Sequence, residues 1–515
     1  MMMKKSLFVL VTLICLGAPV FAAGSQQNAA GGSRPLEFSM YYSDNATLPF
    51  RNDWLTIRKI QEMYNVKVNW EIIPIADYST KVSVALNSGN APDVILYQYV
   101  TGENASLAMN GAIVPISDYA SWTPNFNARV AEFGLQEDVN LLKLKDGKLY
   151  GLPQLYDKPF YDGGLILRED LLAKYRLPAP RTYDDLYQIL KAYKADNPAS
   201  YPLTILAGPR VHYRMTQPAW GISLHANGAG GSRVLSWDYN RKTFFAGAIS
   251  DQYRDYMRFW HKLYAEGLLD PEMVDPINGD VWTRKMATGA AIASYAYYDQ
   301  IGGVAAAAAL PGFKLNMYPA LAGPAGAHHQ QKSKTGFSII FPIGLTKKPN
   351  FERIVRAVDA MFFSTEAALL WNYGVEGETY TKQGNTIKFA DSIVNSPDGI
   401  YKTLQLRYGC GADTLQYVWV NAEQMIKYDE NYADINARVA AMNNVIQAIP
   451  PMPKFEDITA ERATSLMGVL FDAFVVWDNA FLTGTKNIET DWAAYVAEMR
   501  QKGIDEYLSL YNNNL

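Results

Sequence analysis

The sequence predicts an α/β protein built as two lobes, and two observations support that expectation. The chain has 515 residues, which is longer than one hydrophobic core normally supports, so two domains or lobes are expected. Near the N-terminus, three strand patterns alternate with two helical patterns. That order is typical of parallel strands joined by crossover helices. We therefore expect a parallel sheet at the centre of the first lobe.

The first three strands are predicted from the pattern of their apolar residues. Residues 36–41, LEFSMY, read as the first strand, and residues 42–50 read as the polar loop that follows it. Residues 66–72 alternate strictly between apolar and polar side chains, which is typical of a strand with one buried face. Residues 94–96 are continuously apolar, as in a strand that is covered on both faces.

Several helices are predicted from their periodicity and from their capping residues. Thr182, with Asp185 three positions later, has the pattern of a capping box at the start of an amphipathic helix. Thr490 is expected to cap the last amphipathic stretch of the chain. Residues 351–373 read as one long helix.

The composition bears on the class of function. The formal net charge is −4, whereas a protein that binds nucleic acid needs a basic face, so we expect no such partner. The chain contains 34 Tyr and 11 Trp, and these amphipathic rings suit either a ligand-stacking surface or an ordinary core. The sequence carries no G-x-S-x-G, H-E-x-x-H, C-x-x-C or P-loop motif. We therefore expect no catalytic residues.

The N-terminus has the pattern of a secretory signal peptide. Two lysines precede an apolar core over residues 7–16, and small residues follow it. We predict a signal peptide over 1–23, a flexible leader over 24–34, and a mature protein in the periplasm or outside the cell. Cys15 is preceded by Ile14, whereas lipoprotein signals need a small residue there, and this disfavours a lipid anchor. Cys410 is then the one thiol of the mature chain.

Six stretches, in the expected order, resemble a known family. They are GNAPDVILY (89–97), DGKLYGLP (146–153), LREDLLAKYRLPAPRTYDDLYQILKAYK (167–194), YAEGLLDPE (264–272), WNYGVEGETY (371–380) and FLTGTKNIETDWAAYVAEMRQKGIDEYLSLY (481–511). Together they resemble the carbohydrate ABC transporter substrate-binding proteins of extracellular solute-binding family 1, in the large subgroup that includes the lipoprotein LplA. Each stretch alone is a weak signal, but the ordered set covers nearly the whole mature chain.

The resemblance implies an architecture and a function. It implies the type II periplasmic-binding-protein fold, in which each lobe is a mixed, mostly parallel sheet flanked by helices and the ligand cleft lies between the lobes. The predicted boundaries are 35–155 plus 291–345 for lobe one, and 156–290 plus 346–515 for lobe two. The protein would be a monomer that binds a mono- or oligosaccharide and delivers it to membrane permease subunits.

The end of the first sheet supplies the first group of predicted ligand contacts. Ligands of open α/β sheets bind beyond the carboxyl ends of the strands, where Tyr97 and Tyr99 follow one strand and Tyr41, Tyr42 and Asp44 follow another. Tyr97 also matches an aromatic position that contacts sugar in related proteins. Ordinary packing is the alternative for each tyrosine.

A second group of predicted contacts lies further along the chain. They are Tyr156, Asp157, Trp220, Tyr295, Tyr297, Tyr298, Arg407 and Trp419. Tyr156 and Asp157 lie at the first crossing between lobes, where relatives often place an acidic sugar ligand. A surface ion pair with Lys158 or Arg168 is the alternative for Asp157. Residues 295–298 stand where relatives often carry a stacking tryptophan. Arg407 could bind the carboxylate of an acidic sugar, and a structural salt bridge is its alternative.

The sequence also bears on metal binding and on two alternative functions. Some larger relatives carry an aspartate-rich calcium loop after the helix that ends here in AYK, but the corresponding ADNPASYPLTI lacks spaced carboxylates. We therefore predict no metal and no cofactor. A receptor for a peptide or another non-sugar solute is the main alternative. An exported glycoside hydrolase, which would need two carboxylates at a defined separation, is the second.

Overall fold

The computed structural model divides the chain into a short unit, Met1–Pro35, and a main unit, Leu36–Leu515. It describes residues 34–45, 48–100, 103–157, 163–206, 209–224, 232–274, 279–297, 300–308, 310–330, 334–383, 386–396, 400–411, 414–419, 446–447 and 449–515. The predicted signal peptide and nearly all of the predicted leader lie outside these residues.

Strands and helices alternate through most of the described chain. The strands are β1 Leu36–Asp44, β2 Val66–Pro74, β3 Val94–Gln98, β4 Leu152–Tyr156, β5 Gly163–Arg168, β6 Leu203–Ile205, β7 Ser236–Asp238, β8 Thr243–Phe245, β9 Ala293–Tyr297, β10 Leu315–Tyr318, β11 His329–Gln330, β12 Thr335–Ile340, β13 Tyr380–Gln383, β14 Thr386–Phe389, β15 Val418–Trp419 and β16 Ile446–Gln447. The helices are α1 Leu55–Tyr64, α2 Ile75–Ser88, α3 Glu103–Met109, α4 Pro124–Glu132, α5 Gln136–Asn140, α6 Glu169–Lys174, α7 Tyr183–Asp196, α8 Pro209–Thr216, α9 Asp251–Ala265, α10 Gly279–Thr288, α11 Ile301–Ala308, α12 Phe351–Phe363, α13 Thr365–Tyr373, α14 Asp391–Val394, α15 Ile400–Thr403, α16 Asp457–Thr483, α17 Trp492–Gln501 and α18 Ile504–Asn513.

The first sheet has six strands in the order β15-β4-β12-β3-β1-β2. Strand β1 pairs in parallel with both β2 and β3, which confirms the predicted β-α-β-α-β opening. Strand β12 is antiparallel to β3 and β4. The predicted loop over 42–50 begins too early, because β1 stays paired with β2 as far as Asp44, opposite Pro74.

The second sheet has four strands in the order β10-β5-β9-β6. Strand β9 is antiparallel to β5 and parallel to β6. The side chains of Leu165, Ile166 and Leu167 are all buried, as expected for a strand covered on both faces. Helices α9 and α16 to α18 supply much of the core that packs on this sheet.

The sheet pairing differs from the predicted division of lobes at two segments. Strands β9 and β10, within the range assigned to lobe one, pair in the second sheet. Helices α12 and α13 and strand β15, within the range assigned to lobe two, pack in the core of the first sheet. Trp371 of α13 is buried in this core.

The predicted helix boundaries have mixed outcomes. The capping box of Thr182 and Asp185 is confirmed at the start of α7. The single helix over 351–373 is wrong, because Ser364 leaves the helical conformation and its hydroxyl caps α13 through the N–H of Ala367. The Thr490 cap is also wrong, since Asp491 is the N-cap residue of α17.

Helix α16 has an unusual composition. Among the described helices, its segment Ile458–Thr483 is long and apolar enough to cross a membrane by length and composition alone. Its residues Leu470, Phe474 and Asp478 are nevertheless buried in the core of the second sheet. One face of α16 therefore packs in that core, while Val469 and Val476 are exposed on the helix.

Replacing Thr182 with alanine is expected to lower the free energy of unfolding by about 1 kcal/mol, because the backbone N–H of Asp185 loses its acceptor. Urea unfolding of the mature chain measures this change. Thr182→Ser keeps the hydroxyl and serves as the control. Equal stability of the alanine and serine variants would contradict the role of the cap.

Candidate functional site

Tyr97 lies at the carboxyl end of β3 in an unusual backbone conformation. Its φ is +58°, in the left-handed region that residues other than glycine seldom occupy. Gln98 pairs with Ser338 and Ile95 with Ile340, so three steps along β3 match two along β12. This extra residue is a β-bulge, a feature that can redirect a side chain at a functional edge.

Three aromatic rings meet at this bulge. The Phe337 ring centroid lies 3.5 Å from that of Tyr97, at an interplanar angle of 29°. It lies 4.2 Å from that of Tyr99, at 38°. About half of Tyr99 is exposed (53%). We call Tyr97, Tyr99 and Phe337 the aromatic stack, and it presents apolar ring surface to solvent.

Polar side chains fix the backbone around the aromatic stack. Gln98 donates from Nε2 to the carbonyl of Tyr97 at 2.9 Å. Asn104 donates from Nδ2 to the carbonyl of Tyr99 at 2.8 Å. Because these hydrogen bonds involve main-chain carbonyls, they hold the backbone at Tyr97 and Tyr99 in place.

Tyr156 is connected to the aromatic stack through Gln154. The Gln154 Oε1 atom accepts from the Tyr156 hydroxyl at 3.3 Å and from the backbone N–H of Phe337 at 3.2 Å. Tyr156 is buried, and Trp419 lies opposite it in the register of β15 and β4. The structure therefore brings the strand positions of Tyr97, Tyr156 and Trp419 into one sheet.

The predicted contacts at the end of β1 are packed against other residues. Tyr42 is buried, with its ring centroid 4.7 Å from that of Phe50. Asp44 accepts from the backbone N–H of Phe50 at 2.8 Å. Tyr41 is buried in a separate apolar cluster with Tyr78, and burial raises the pKa of Tyr41. Tyr41, Tyr42 and Asp44 therefore contact other protein groups at the end of β1.

The predicted contacts in the second sheet lie in an aromatic core. Tyr295 is buried beside His212 and Trp260. Trp220 is also buried, with its ring centroid 4.4 Å from that of Tyr183. Neighbouring side chains enclose both rings, as is usual for core residues. Neither ring belongs to the aromatic stack.

The remaining predicted residues have varied environments. Tyr297 is half-buried, and the Arg214 guanidinium carbon lies 5.5 Å from its ring centroid. Asp157 is half-buried at the end of β4, and Arg407 is exposed in a π-helical turn, Leu404–Tyr408. Tyr298 lies outside the described residues. None of these environments assigns a ligand to the residue.

Sequence reasoning missed Phe337 and Tyr417. Phe337 joins the aromatic stack only because β12 is the neighbour of β3, more than 200 residues away in sequence. Tyr417 accepts the backbone N–H of Tyr97 with its hydroxyl, at 2.9 Å. The apolar pattern of each segment predicts burial, but it carries no signal for the partner strand.

Comparisons with known proteins agree with this architecture. Residues 56–349, more than half of the chain, match the family model described as bacterial extracellular solute-binding protein. The polygalacturonan/rhamnogalacturonan-binding protein YtcQ of Bacillus subtilis (strain 168) is 22% identical over 74% of each chain. The fructooligosaccharide ABC transporter substrate-binding protein FusA of Streptococcus pneumoniae serotype 4 is 22% identical over 96% of this chain and 94% of its own.

A solved structure shows the same fold. The crystal structure of the alginate-binding protein AlgQ2 without calcium ion superposes with a TM-score of 0.77 at 18% identity. The match covers 94% of this chain and 98% of AlgQ2. This similarity confirms the predicted two-lobed α/β fold.

Proposed function

Because this chain belongs to the family of bacterial extracellular solute-binding proteins, which are exported, we propose that it is the receptor of an ABC importer for a mono- or oligosaccharide. The relatives reported above bind polygalacturonan or rhamnogalacturonan, fructooligosaccharide and alginate according to their names. The observation that carries the proposal is the aromatic stack at the carboxyl end of the first sheet. The signal peptide over 1–23 is part of the proposal, and Ile14 before Cys15 disfavours a lipid anchor there.

The two sheets are proposed as the centres of the two lobes. Lobe one would hold β1 to β4, β12 and β15 with α1 to α5 and α12 to α15. Lobe two would hold β5 to β10 with α6 to α11 and α16 to α18. This assignment follows the strand pairing and the core clusters, and it replaces the division predicted from sequence. The ligand would bind between the lobes.

The chemistry of the aromatic stack suits a sugar. A pyranose ring presents apolar C–H faces that an aromatic ring covers, while its hydroxyl groups need hydrogen-bond partners. Tyr99 offers an exposed ring, and Asp157 supplies a carboxylate at the end of β4, beyond Tyr156. The aromatic stack would therefore bind one sugar face, and nearby polar groups would bind its edge.

A solute-binding protein returns its ligand unchanged, so we propose that this chain is not an enzyme. The matched family and the compared proteins are named for binding. The receptor would act as a monomer and deliver the sugar to permease subunits in the membrane. A receptor for a peptide or another non-sugar solute remains the alternative function.

A thermal-shift screen of the chain from Gly24 onward tests this function. The panel contains oligogalacturonates, fructooligosaccharides, neutral mono- and disaccharides, peptides and polyamines. A ligand present at 100 times its Kd stabilises the folded state by about 2.7 kcal/mol and raises the melting temperature. A shift with a sugar that is recovered intact supports the proposal. A shift with peptides or polyamines alone contradicts it, and a cleaved sugar indicates a hydrolase.

Tyr99→Ala is expected to weaken sugar binding by about tenfold, or about 1.4 kcal/mol, because the exposed ring of the aromatic stack is lost. Isothermal titration calorimetry measures the change. Tyr201→Ala removes a comparably exposed tyrosine (42%) before β6 in the second sheet and should leave Kd unchanged. Equal Kd values for the two variants would exclude Tyr99 from the site.

A further inference from the structure

We propose that Tyr417 is a positioning residue, which holds Tyr97 in its left-handed conformation so that the aromatic stack is formed before the ligand arrives. The inference rests on the proposed function, because it assumes that Tyr97 contacts the sugar. Tyr417 itself would not touch the ligand.

The surroundings of Tyr417 separate it from any ligand. Its side chain is fully buried, and its ring centroid lies 5.2 Å from that of Phe362 and 6.0 Å from that of Phe363. Both phenylalanines belong to α12. The Tyr417 hydroxyl lies at the carboxyl end of β3, where it accepts the backbone N–H of Tyr97.

The bulge explains why Tyr97 needs this partner. The ladder between β3 and β12 skips a position at Tyr97, and the pairing of β3 with β1 ends at Ile95. The backbone N–H of Tyr97 therefore bonds to a side chain instead of a neighbouring strand. Left-handed conformations of residues other than glycine cost energy, and they persist where the surrounding structure holds them.

Tyr417 is itself held in place along its own segment. Its carbonyl accepts from the backbone N–H of Leu155 at 2.8 Å, and the preceding carbonyl, of Gln416, accepts from Gln154 Nε2 at 2.7 Å. Burial raises the pKa of the Tyr417 hydroxyl, so the group stays neutral. Gln416 and Tyr417 thus form hydrogen bonds both to Tyr97 and to β4, the strand that ends at Tyr156.

Tyr417→Phe removes one oxygen atom and retains the ring that packs on α12. The mature chain is titrated by calorimetry with trigalacturonate and with kestose, well below the melting temperature of each variant. We expect Kd for the bound probe to rise about tenfold. In a Tyr97→Ala background, the same substitution should change Kd by less than twofold, because the ring to be positioned is absent.

Tyr64→Phe is the matched control. The Tyr64 hydroxyl bonds to Ser364 at 2.6 Å in the same core, away from β3, so its loss should lower stability and leave Kd unchanged. If Tyr417→Phe lowers the melting temperature but binds with wild-type Kd, the residue is merely structural and the inference is wrong, while the proposed function stands. An equal effect of Tyr417→Phe with and without the Tyr97 ring would also overturn it. If the wild-type protein binds neither these probes nor any sugar of the thermal-shift panel, the proposed function fails, and this inference fails with it.

Discussion

Tyr97→Ala is expected to weaken carbohydrate binding by about 30-fold, which corresponds to about 2 kcal/mol. Large aromatic side chains near the centre of a binding site carry a disproportionate share of the binding energy. Tyr97 has the closest ring contact within the aromatic stack, at 3.5 Å from Phe337. Its loss removes a stacking surface and leaves Phe337 with Tyr99 as its remaining partner in the aromatic stack. Calorimetric titration with the sugar that gives the largest thermal shift measures the effect.

Tyr97→Phe provides the control for this prediction. Phenylalanine retains the ring and its stacking surface, so its Kd should stay within about threefold of the wild-type value, since the hydroxyl contributes little to stacking. A wild-type Kd for Tyr97→Ala, on a protein with an unchanged melting temperature, would remove Tyr97 from the site. A loss as large in the phenylalanine variant would assign the effect to the hydroxyl instead of the ring.

The local pattern of the sequence predicts the position of Tyr97 but not its conformation. The apolar residues before it establish β3 and its burial, and the strand order places its carboxyl end at a ligand edge. The bulge depends on the register between β3 and β12, and the stretch VILYQ contains no glycine or asparagine to signal a positive φ. Phe337 and Tyr417 enter the site by the same long-range pairing.

Two segments pair or pack with a different sheet from the one that the predicted lobe ranges imply, for a related reason. Strand β9 (ASYAY) and strand β12 (TGFSII) are both short and mix apolar residues with small polar ones, so their composition does not indicate which sheet each one joins. Their sheets are set by partners distant in the chain, β5 for one and β3 for the other. Local periodicity determines that a strand exists, whereas packing determines its neighbours.

A high content of aromatic residues does not by itself distinguish a buried core from a binding surface. The sequence predicts Tyr295 and Trp220 as contacts, and both are aromatic like the members of the aromatic stack, yet both are buried in the second core. That core also satisfies tyrosine hydroxyls internally, since Tyr253 donates to the carboxylate of Asp478 at 2.6 Å and Tyr213 donates to it as well. A tyrosine-rich sequence therefore fits a polar aromatic core as well as a binding surface.

The same core leads to a strong prediction of pH dependence. His212 is fully buried, with its ring centroid 3.8 Å from that of Trp260, and burial lowers its pKa from 6.5 to about 3. Below pH 6.5 the unfolded chain therefore takes up a proton at this residue and the folded chain does not. The free energy of unfolding should fall by about 1.4 kcal/mol per pH unit from this group as the pH drops from 6.5 towards 3.

Asp478 has the opposite effect in an overlapping range. Burial raises its pKa from 3.8 to about 6, although the hydrogen bonds from Tyr213 and Tyr253 act in the other direction. The folded chain thus binds this proton more readily than the unfolded chain. The cost of the buried carboxylate is fully present above pH 6 and is relieved as the pH falls towards 3.8. Between about pH 6 and pH 4 the two groups should nearly cancel in the wild-type protein.

Substitution of either residue should expose the contribution of the other. Urea unfolding at pH 7.0 and pH 4.5 gives the change in unfolding free energy for each variant relative to wild type. Relative to wild type, the free energy of unfolding of His212→Gln should rise by about 3 kcal/mol when the pH is lowered from 7.0 to 4.5. That of Asp478→Asn should fall by about 2 kcal/mol over the same interval. Because the two variants share the same core, any general weakening of packing affects both at both pH values and leaves the opposite trends intact. Parallel pH profiles for the two variants would show that His212 and Asp478 do not titrate with the shifted pKa values that their burial implies.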